Sequence, residues 1–575
     1  MRTSSLLATI AAVAISASVL FECTAFLTVD ANPSLITVDA ATTPDAIAAP
    51  DGATDDGATD DSTPDVATDD AAAADAVGAT DAEASVDAPP PRCPPVKVRM
   101  LPDLSGPLAD VGVPYYWGQI DSFREINAKG GIGAVSGKGG CMIEWETGDM
   151  KYNTPLAQMF YDGWKARADW KDVVALFDLG SNIALALGPQ EAQDHKLAIN
   201  TAYNGAIASP IPIDIQQQVP EVETDFSELT FSTEFKSPGY AFNFFPGTDY
   251  STGIRIAMFH IKSLGGKRVG FFHNSAAYGT GPIPAGRTYA KKLGLDIGRD
   301  QVVENTENQA TYDSKVLAYF QAEKDHAAAV MPPGSYAMVD WAWGGNTTKT
   351  MAQLALSIAK MNKQLGLNVQ VILNNYGFDE NLYGLYGCGA ACVDSVHGIM
   401  PSLPYGDVRA PEMAKVTALH DKWRMIDAQN AAAACSDAGG TADAGTAETG
   451  TADASTEAGT ADAGTADAGS CAEAGVPVSY RNVRYVQGYL SIYIFRVAAE
   501  RVLAKGQAIT ADTMKAALET FQNLDTGGLT DKLTFTATDH RAQSTESIYK
   551  LSNAGALVYE PPDRTIFLEN SWLGW

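Results

Sequence analysis

The sequence predicts an α/β protein built as two Rossmann-like lobes with a hinge of three crossovers. Strand–helix units follow one another from Val96 to Phe245, and again from Gly265 to Gly398. The helices after residue 399 belong with the first set, and the hairpin-like stretch Ser547 to Tyr559 returns to the second. Crossings therefore fall near 245, 398 and 538. That divides the folded body into a first lobe, 93–245 with 399–538, and a second, 246–398 with 539–575.

The first unit sets the pattern. Val96-Lys-Val-Arg-Met-Leu101 reads as a strand and Ser105-Gly106-Pro107 as a turn. Tyr116, Ile120, Phe123 and Ile126 then recur at three- and four-residue spacing, as on a helix laid against a sheet, until Gly130-Gly131 ends it. Strands follow at Cys141–Glu146 and Val173–Phe177, with a helix between them that carries Leu156, Met159, Phe160 and Trp164 on one face. Ala206 to Pro212 reads as the next strand with its exit loop, and Tyr240–Phe245 as another apolar run. In the second unit the expected strands are Gly265–His273, Ala327–Met331 and Val369–Leu373, and Pro332–Tyr336 is the exit loop of the middle one. Helices run through Lys292, over Asp313–Phe320 and over Met351–Leu365. Pro411–Gln429, Gln487–Ala504 and Thr510–Phe521 are helices of the returning segment.

Two segments lack the side chains to pack. Residues 30–95 are almost entirely Ala, Asp, Thr, Pro and Gly, with 15 acidic residues and one basic, Arg92. Residues 436–470 repeat GTADAGTA-like units and carry seven acidic residues and no basic one. Both read as disordered, because little apolar surface is available to offset the entropy of ordering. The net charge is −29, and these segments account for all but −8 of it. The folded body is thus mildly acidic. It has no basic patch or basic–aromatic interleaving of the kind nucleic acid requires.

The N-terminus begins Met1-Arg2 and continues into an apolar run, Leu6 to Phe21. That length and basic start read as a signal peptide, residues 1–22, rather than a membrane span. Cys23 stands just beyond it as the candidate lipidation site, with Leu20 in the position three before it and Glu22 departing from the usual small residue. The chain is expected to be exported, to sit at a bacterial membrane through a lipid anchor, and to carry its body on the acidic tether 23–92. Six cysteines remain, and they sort by position into Cys93–Cys141, Cys388–Cys392 and Cys435–Cys471. The last pair brackets the acidic insertion, or else is two unrelated thiols.

Catalytic signatures are missing from the sequence. The seven histidines, at 195, 260, 273, 326, 397, 420 and 540, form no HExxH and read as surface or loop residues. No GxSxG elbow and no GxGxxG loop occurs. No cofactor and no metal site is expected, and an enzyme is not the favoured reading.

The SGPLA turn, the helix ending in INAKGGIG and the stretch Phe271-Phe-His-Asn-Ser-Ala-Ala-Tyr-Gly279 together resemble the type 1 periplasmic substrate-binding proteins. The resemblance is to the branched-chain amino-acid binding components of ABC transporters, and it spans about Val96 to Gly555. It implies a monomer that closes two lobes on a small molecule and passes it to an ABC permease. A surface sensor or display protein of the same fold, without a transporter, is the alternative. By the same resemblance Ser105, Ser181 and Asn182 face the ligand from the first lobe, and Tyr278, Tyr336 and Tyr376 from the second. Ser181 is either a ligand group or the cap of its helix. Two departures speak against the family's amino-acid clamp. Pro210 to Ile213 supply no hydroxyl, and Tyr376 stands where an acid meets the ligand's ammonium, with Asp379 and Glu380 three and four residues later. A polar or aromatic solute, with a carboxylate for the Ser181–Asn182 loop, fits that set.

Overall fold

The computed structural model describes residues 35–37, 93–137, 139–208, 240–330, 338–437, 481–537, 539–543, 545–560 and 565–568. The first described element is a three-residue strand, β1 (Leu35–Thr37). The first lobe runs β2 (Val96–Leu101), α1 (Ala109–Ala128), β3 (Ile143–Thr147), α2 (Thr154–Lys165), β4 (Val173–Asp178), α3 (Ser181–Gln193), β5 (Leu197–Ile199), the single turn α4 (Gly205–Ala208) and β6 (Asn243–Thr248). The second lobe runs α5 (Tyr250–Ser263), β7 (Arg268–His273), α6 (Ala277–Thr280), α7 (Ile283–Lys292), β8 (Asp296–Val302), α8 (Gln309–Val330), β9 (Trp341–Gly345), α9 (Thr348–Leu365), β10 (Gln370–Leu373) and β11 (Val396–Met400). The chain returns to the first lobe with α10 (Met413–Asp437), α11 (Val483–Ala504), α12 (Ala511–Leu518) and β12 (Arg541–Gln543). It ends in the second with β13 (Thr545–Leu551), β14 (Leu557–Tyr559) and β15 (Thr565–Leu568).

Two separate sheets result. The first-lobe sheet has the order β12-β6-β5-β4-β2-β3, with every pairing parallel. The second has β8-β7-β9-β10-β11 parallel, extended on the β11 side by antiparallel β13, β15 and β1, with β14 also on β13. β1 lies within the segment expected to be an unstructured tether, so Leu35–Thr37 form an exception to that reading; Cys23 lies outside the described residues. The two sheets exchange the chain three times, as expected: after Thr248, over 401–412, and between β12 and β13. The outer two lie a few residues beyond the predicted 245 and 538, because β6 extends to Thr248 and β12 still pairs with it.

The three crossings are laced together. Thr248 donates its hydroxyl to the Thr545 carbonyl. Gln543 Nε2 donates to the Pro401 carbonyl at 2.7 Å, and Thr530 Oγ1 contacts both that carbonyl and Gln543 Oε1.

Two expected strands are corrected. Ala327–Met331 is not a strand: α8 continues to Val330, and the middle strand of the lobe is β9. A run of alanines favours helix, whereas Trp341-Ala-Trp-Gly-Gly pairs on both sides despite its glycines. The loop position read at Tyr336 therefore loses its strand, and Tyr336 itself lies outside the described residues. Ala206–Ala208, the described start of the other expected strand, is helical in α4; the strand before it is the three-residue β5, and residues 209–239 fall outside the described set.

The core of the first lobe is closed by α11 lying against α1. On α1, Ile120 and Phe123 are fully buried as the spacing predicts, with Tyr116 and Ile126 half-buried beside them. Tyr115 and Gly118 are buried as well, because α11 covers the helix from its other side. The two helices touch backbone to backbone where each has a glycine. A Cβ on Gly118 would stand 2.2 Å from the Tyr485 carbonyl oxygen, and one on Gly488 2.1 Å from that of Tyr115. Overpacking a core costs about 1–3 kcal/mol. Gly488→Ala is expected to reach the upper end, since backbone rather than a flexible side chain must move. A urea midpoint unchanged from wild type would contradict this contact.

Cys93 and Cys141 are joined, Cα to Cα 5.3 Å, at the start of the neighbouring strands β2 and β3. Cys388 and Cys392 are joined across 5.7 Å. The proposed Cys435–Cys471 pair lies outside the described side chains. Contrary to expectation, the histidines are mostly interior: His260, His273, His397, His420 and His540 are all buried.

Candidate functional site

A parallel sheet gathers the loops at the carboxyl ends of its strands along one edge. In this fold the two such edges face each other. The first lobe contributes the loops after β2, β4 and β5, and the second those after β7, β9 and β10. Direct bonds join them. Asn182 Oδ1 accepts the Ala277 N–H at 3.0 Å, and Tyr376 donates its hydroxyl to the Thr201 carbonyl.

Aromatic rings fill the seam. Tyr203 of the first lobe stacks near Tyr250 at 6.2 Å and tilts against Tyr376 at 5.9 Å. Tyr278 meets Tyr250 edge-on at 4.9 Å and Tyr376 at 5.8 Å. All four are buried. Burial pushes their phenols upward, Tyr278 included, so they stay neutral hydrogen-bonding groups at physiological pH.

Arg484, at the start of α11, fastens the β10 loop to the first lobe. Its Nη1 donates to Asn375 Oδ1 at 3.1 Å, and its Nη2 to the carbonyls of Asn375 at 2.6 Å and Phe378 at 3.0 Å. The guanidinium lies 4.8 Å from the Tyr376 ring centre, which it also holds by cation–π attraction. Gln487, one turn on, donates to Asn375 Oδ1 at 3.0 Å.

The site residues predicted from the sequence separate into three groups. Asn182, Tyr278 and Tyr376 come together in the seam. Ser181 is adjacent and buried; it opens α3 behind Gly180, makes no capping bond, and its hydroxyl has no partner. Ser105 is exposed and donates to Asp149 Oδ2 at 2.6 Å, at the rim of the same edge. Tyr336 is outside the described residues. Both candidate acids are already engaged. Asp379 accepts from Thr348 Oγ1 at 2.8 Å and lies 3.6 Å from Arg484 Nε. Glu380 accepts the N–H groups of Tyr405 at 2.6 Å and Val483 at 2.9 Å, and burial, with repulsion from Asp379 second, pushes it up to about 7.

Four residues that sequence reading passed over belong to the seam: Asp110, Tyr203, Asn374 and Arg484. Asp110 directly follows the SGPLA turn and faces the start of α9 across the lobes, near the Thr347 hydroxyl and Lys349 N–H. Burial, then repulsion from Asp379, pushes it up to about 6. Both ends of the Asn374 amide are buried without a partner, and the Tyr278 hydroxyl makes no bond of good geometry. A groove of about 430 Å³ between α1, α10 and α11, lined by Tyr489, Lys415 and Lys422, includes none of the seam residues.

Beneath the Ser181 loop, Asp178 ends β4 beside Glu191, both fully buried. Burial raises both acids, and their mutual repulsion adds to Glu191. An acid raised in the folded state contributes stability below its unfolded value near ~4, and that contribution is lost as pH rises through the folded value. Between about pH 5 and 7 each of these acids is therefore expected to cost the wild-type protein up to about 1.4 kcal/mol per pH unit. Glu191→Gln, which keeps an acceptor for Asn243, should flatten that slope and raise the melting temperature at pH 8. Parallel wild-type and variant profiles from pH 5 to 7 would count against a proton held here.

The family profile for periplasmic binding proteins matches residues 95–410. Among solved structures, an ABC transporter substrate-binding protein of Aeropyrum pernix is similar at 21% identity and TM-score 0.57, over 83% of this chain and 96% of that one. A branched-chain amino-acid ABC transporter protein of Thermus thermophilus with bound valine is similar at 17% and 0.57, over 84% and 98%. A fatty-acid ABC transporter substrate-binding protein of Thermomonospora curvata is similar at 16% and 0.56, over 84% and 95%. No curated protein sequence matches. Among the described residues no helix is long and apolar enough to cross a membrane. With the profile covering over half its length and two parallel-sheet lobes meeting at their strand ends, this chain belongs to the type 1 periplasmic binding protein family.

Proposed function

We propose that this chain captures a small organic solute outside the cytoplasm, as the substrate-binding component of an ABC-type importer. The solute is amino-acid-like, an amide or aromatic. One observation carries the reading: buried polar atoms of both lobes, Ser181 Oγ, the Asn374 amide and the Tyr278 hydroxyl, lack partners where the lobes meet. Each such group costs about 1–3 kcal/mol. A ligand that bonds to them stabilises the closed arrangement over an open one, which is how a two-lobed binder couples occupancy to shape. The tyrosines favour a ligand with a flat or apolar face, and Ser181 with the start of α3 favours a carboxylate on it. Asp379 and Glu380 are committed to protein donors, so an ammonium on the ligand would fall to Asp110, whose two carboxylate oxygens are buried without a hydrogen bond of good geometry. The permease, a lipid anchor at Cys23 and a monomeric state complete the proposal.

Native mass spectrometry of the purified chain should show a retained small molecule, and calorimetry across amino acids, aromatic acids, amides and short peptides should rank the class. Tyr278→Ala and Tyr376→Ala are expected to weaken the best ligand by at least about tenfold, as loss of an aromatic wall does. Unchanged affinity in both variants would displace the site. Absence of binding across the whole panel would overturn the solute class.

A further inference from the structure

Away from the seam, three side chains distant in sequence converge inside the second lobe. His260 lies in the last turn of α5, His397 on β11 between β10 and β13, and Glu560 just after β14. His260 Nε2 is 3.3 Å from His397 Nδ1, and Glu560 Oε2 is 2.8 Å from the latter and 3.2 Å from the former. All three residues are buried. The Trp341 ring covers the pair, 6.2 Å edge-on from His260 and 5.1 Å from His397.

We propose that these three atoms are the protein ligands of a divalent transition-metal ion of the zinc class. Hydrogen bonding alone accounts poorly for the triangle. A neutral imidazole has one N–H. If each ring turns its N–H to Glu560, two donors face each other across 3.3 Å; if one ring donates to the other, it no longer serves the carboxylate. A metal resolves this, because each of the three atoms then offers a lone pair to one centre. Two sides of the triangle have the spacing of such a site: bonds of about 2.0–2.1 Å in a tetrahedral zinc site put neighbouring ligand atoms about 3.3 Å apart, against 3.3 and 3.2 Å here, while the 2.8 Å side would have to open by about half an ångström on binding. Two imidazoles with one carboxylate select zinc-like ions over calcium or magnesium, which take oxygen shells. Three protein ligands leave a position for water. The site is remote from the seam, so its role is structural: it ties the C-terminal return after β14 to α5 and to the central sheet.

The test uses tag-free full-length chain, stripped with chelator, and Co²⁺ alone as the probe. One equivalent of Co²⁺ should give the strong visible absorption of a low-coordinate site, and an equivalent of Zn²⁺ should abolish it. The acidic segments can hold Co²⁺ only through oxygen, with weak absorption, so a weak non-saturating signal would overturn the proposal. His397→Ala and Glu560→Gln should each weaken Co²⁺ binding at least about 100-fold, beyond what loss of an outer hydrogen-bond partner does. Should His397→Ala fail to fold, the near-isosteric Glu560→Gln still decides, and wild-type affinity in it would refute the carboxylate ligand.

Discussion

Arg484→Ala is expected to destabilise the protein by about 3–5 kcal/mol, the cost of removing one partner from a buried charged network. The side chain is fully buried, and its removal leaves the Asn375 and Phe378 carbonyls and the Asp379 carboxylate without their cation. The loss should not be confined to stability. Tyr376 rides on the loop that Arg484 holds, so ligand affinity should fall together with the urea midpoint. Arg484→Lys separates the two effects: it keeps the charge but cannot reach two carbonyls and an amide at once. It should recover part of the stability and little of the binding. Wild-type affinity in Arg484→Ala would show that the loop is held by other means.

Removing the Cys93–Cys141 bridge should have an effect of similar size. The bridge closes a separation of 48 residues, for which the loop-closure model gives about 4 kcal/mol. The Cys93→Ala/Cys141→Ala pair should show this as a lower denaturant midpoint. The Cys388→Ala/Cys392→Ala pair closes only four residues and should cost about half as much by the same relation. Equal losses from the two pairs would show that packing around the sulfurs, rather than chain closure, sets the cost.

The fold was legible wherever its signal was local. Apolar spacing along 116–126 gave α1, and the unbroken run at Val173–Phe177 gave β4. It failed at Ala327–Met331 and Trp341–Gly345, where apolar content marks both segments and only pairing with β7 and β10 distinguishes them. The site divides in the same way. Asn182 and Tyr376 sit just beyond strand ends, in the first turn of α3 and in the turn after β10, and such positions can be read directly. Arg484 could not be read, since its partner Asn375 is 109 residues away and its helix is separated from α10 by the acidic insertion. The cluster of His260, His397 and Glu560 was invisible for the same reason, being spaced by 137 and 163 residues. Scattered histidines look alike until the sheet brings two of them together.

The lacing of Thr248, Pro401, Gln543 and Thr545 has a mechanical consequence. Two of the crossings, from β6 into α5 and from β12 to β13, are short and are tied to each other by the Thr248–Thr545 bond, whereas the 401–412 crossing has twelve residues. A rotation of one lobe against the other would pivot at this pair of short links, with the longer one acting as slack. The lobes would then swing like covers on a spine, with the largest displacement on the surfaces farthest from it. A partner that reads the lobes' outer faces would thus detect occupancy as a change in their separation, without touching the solute.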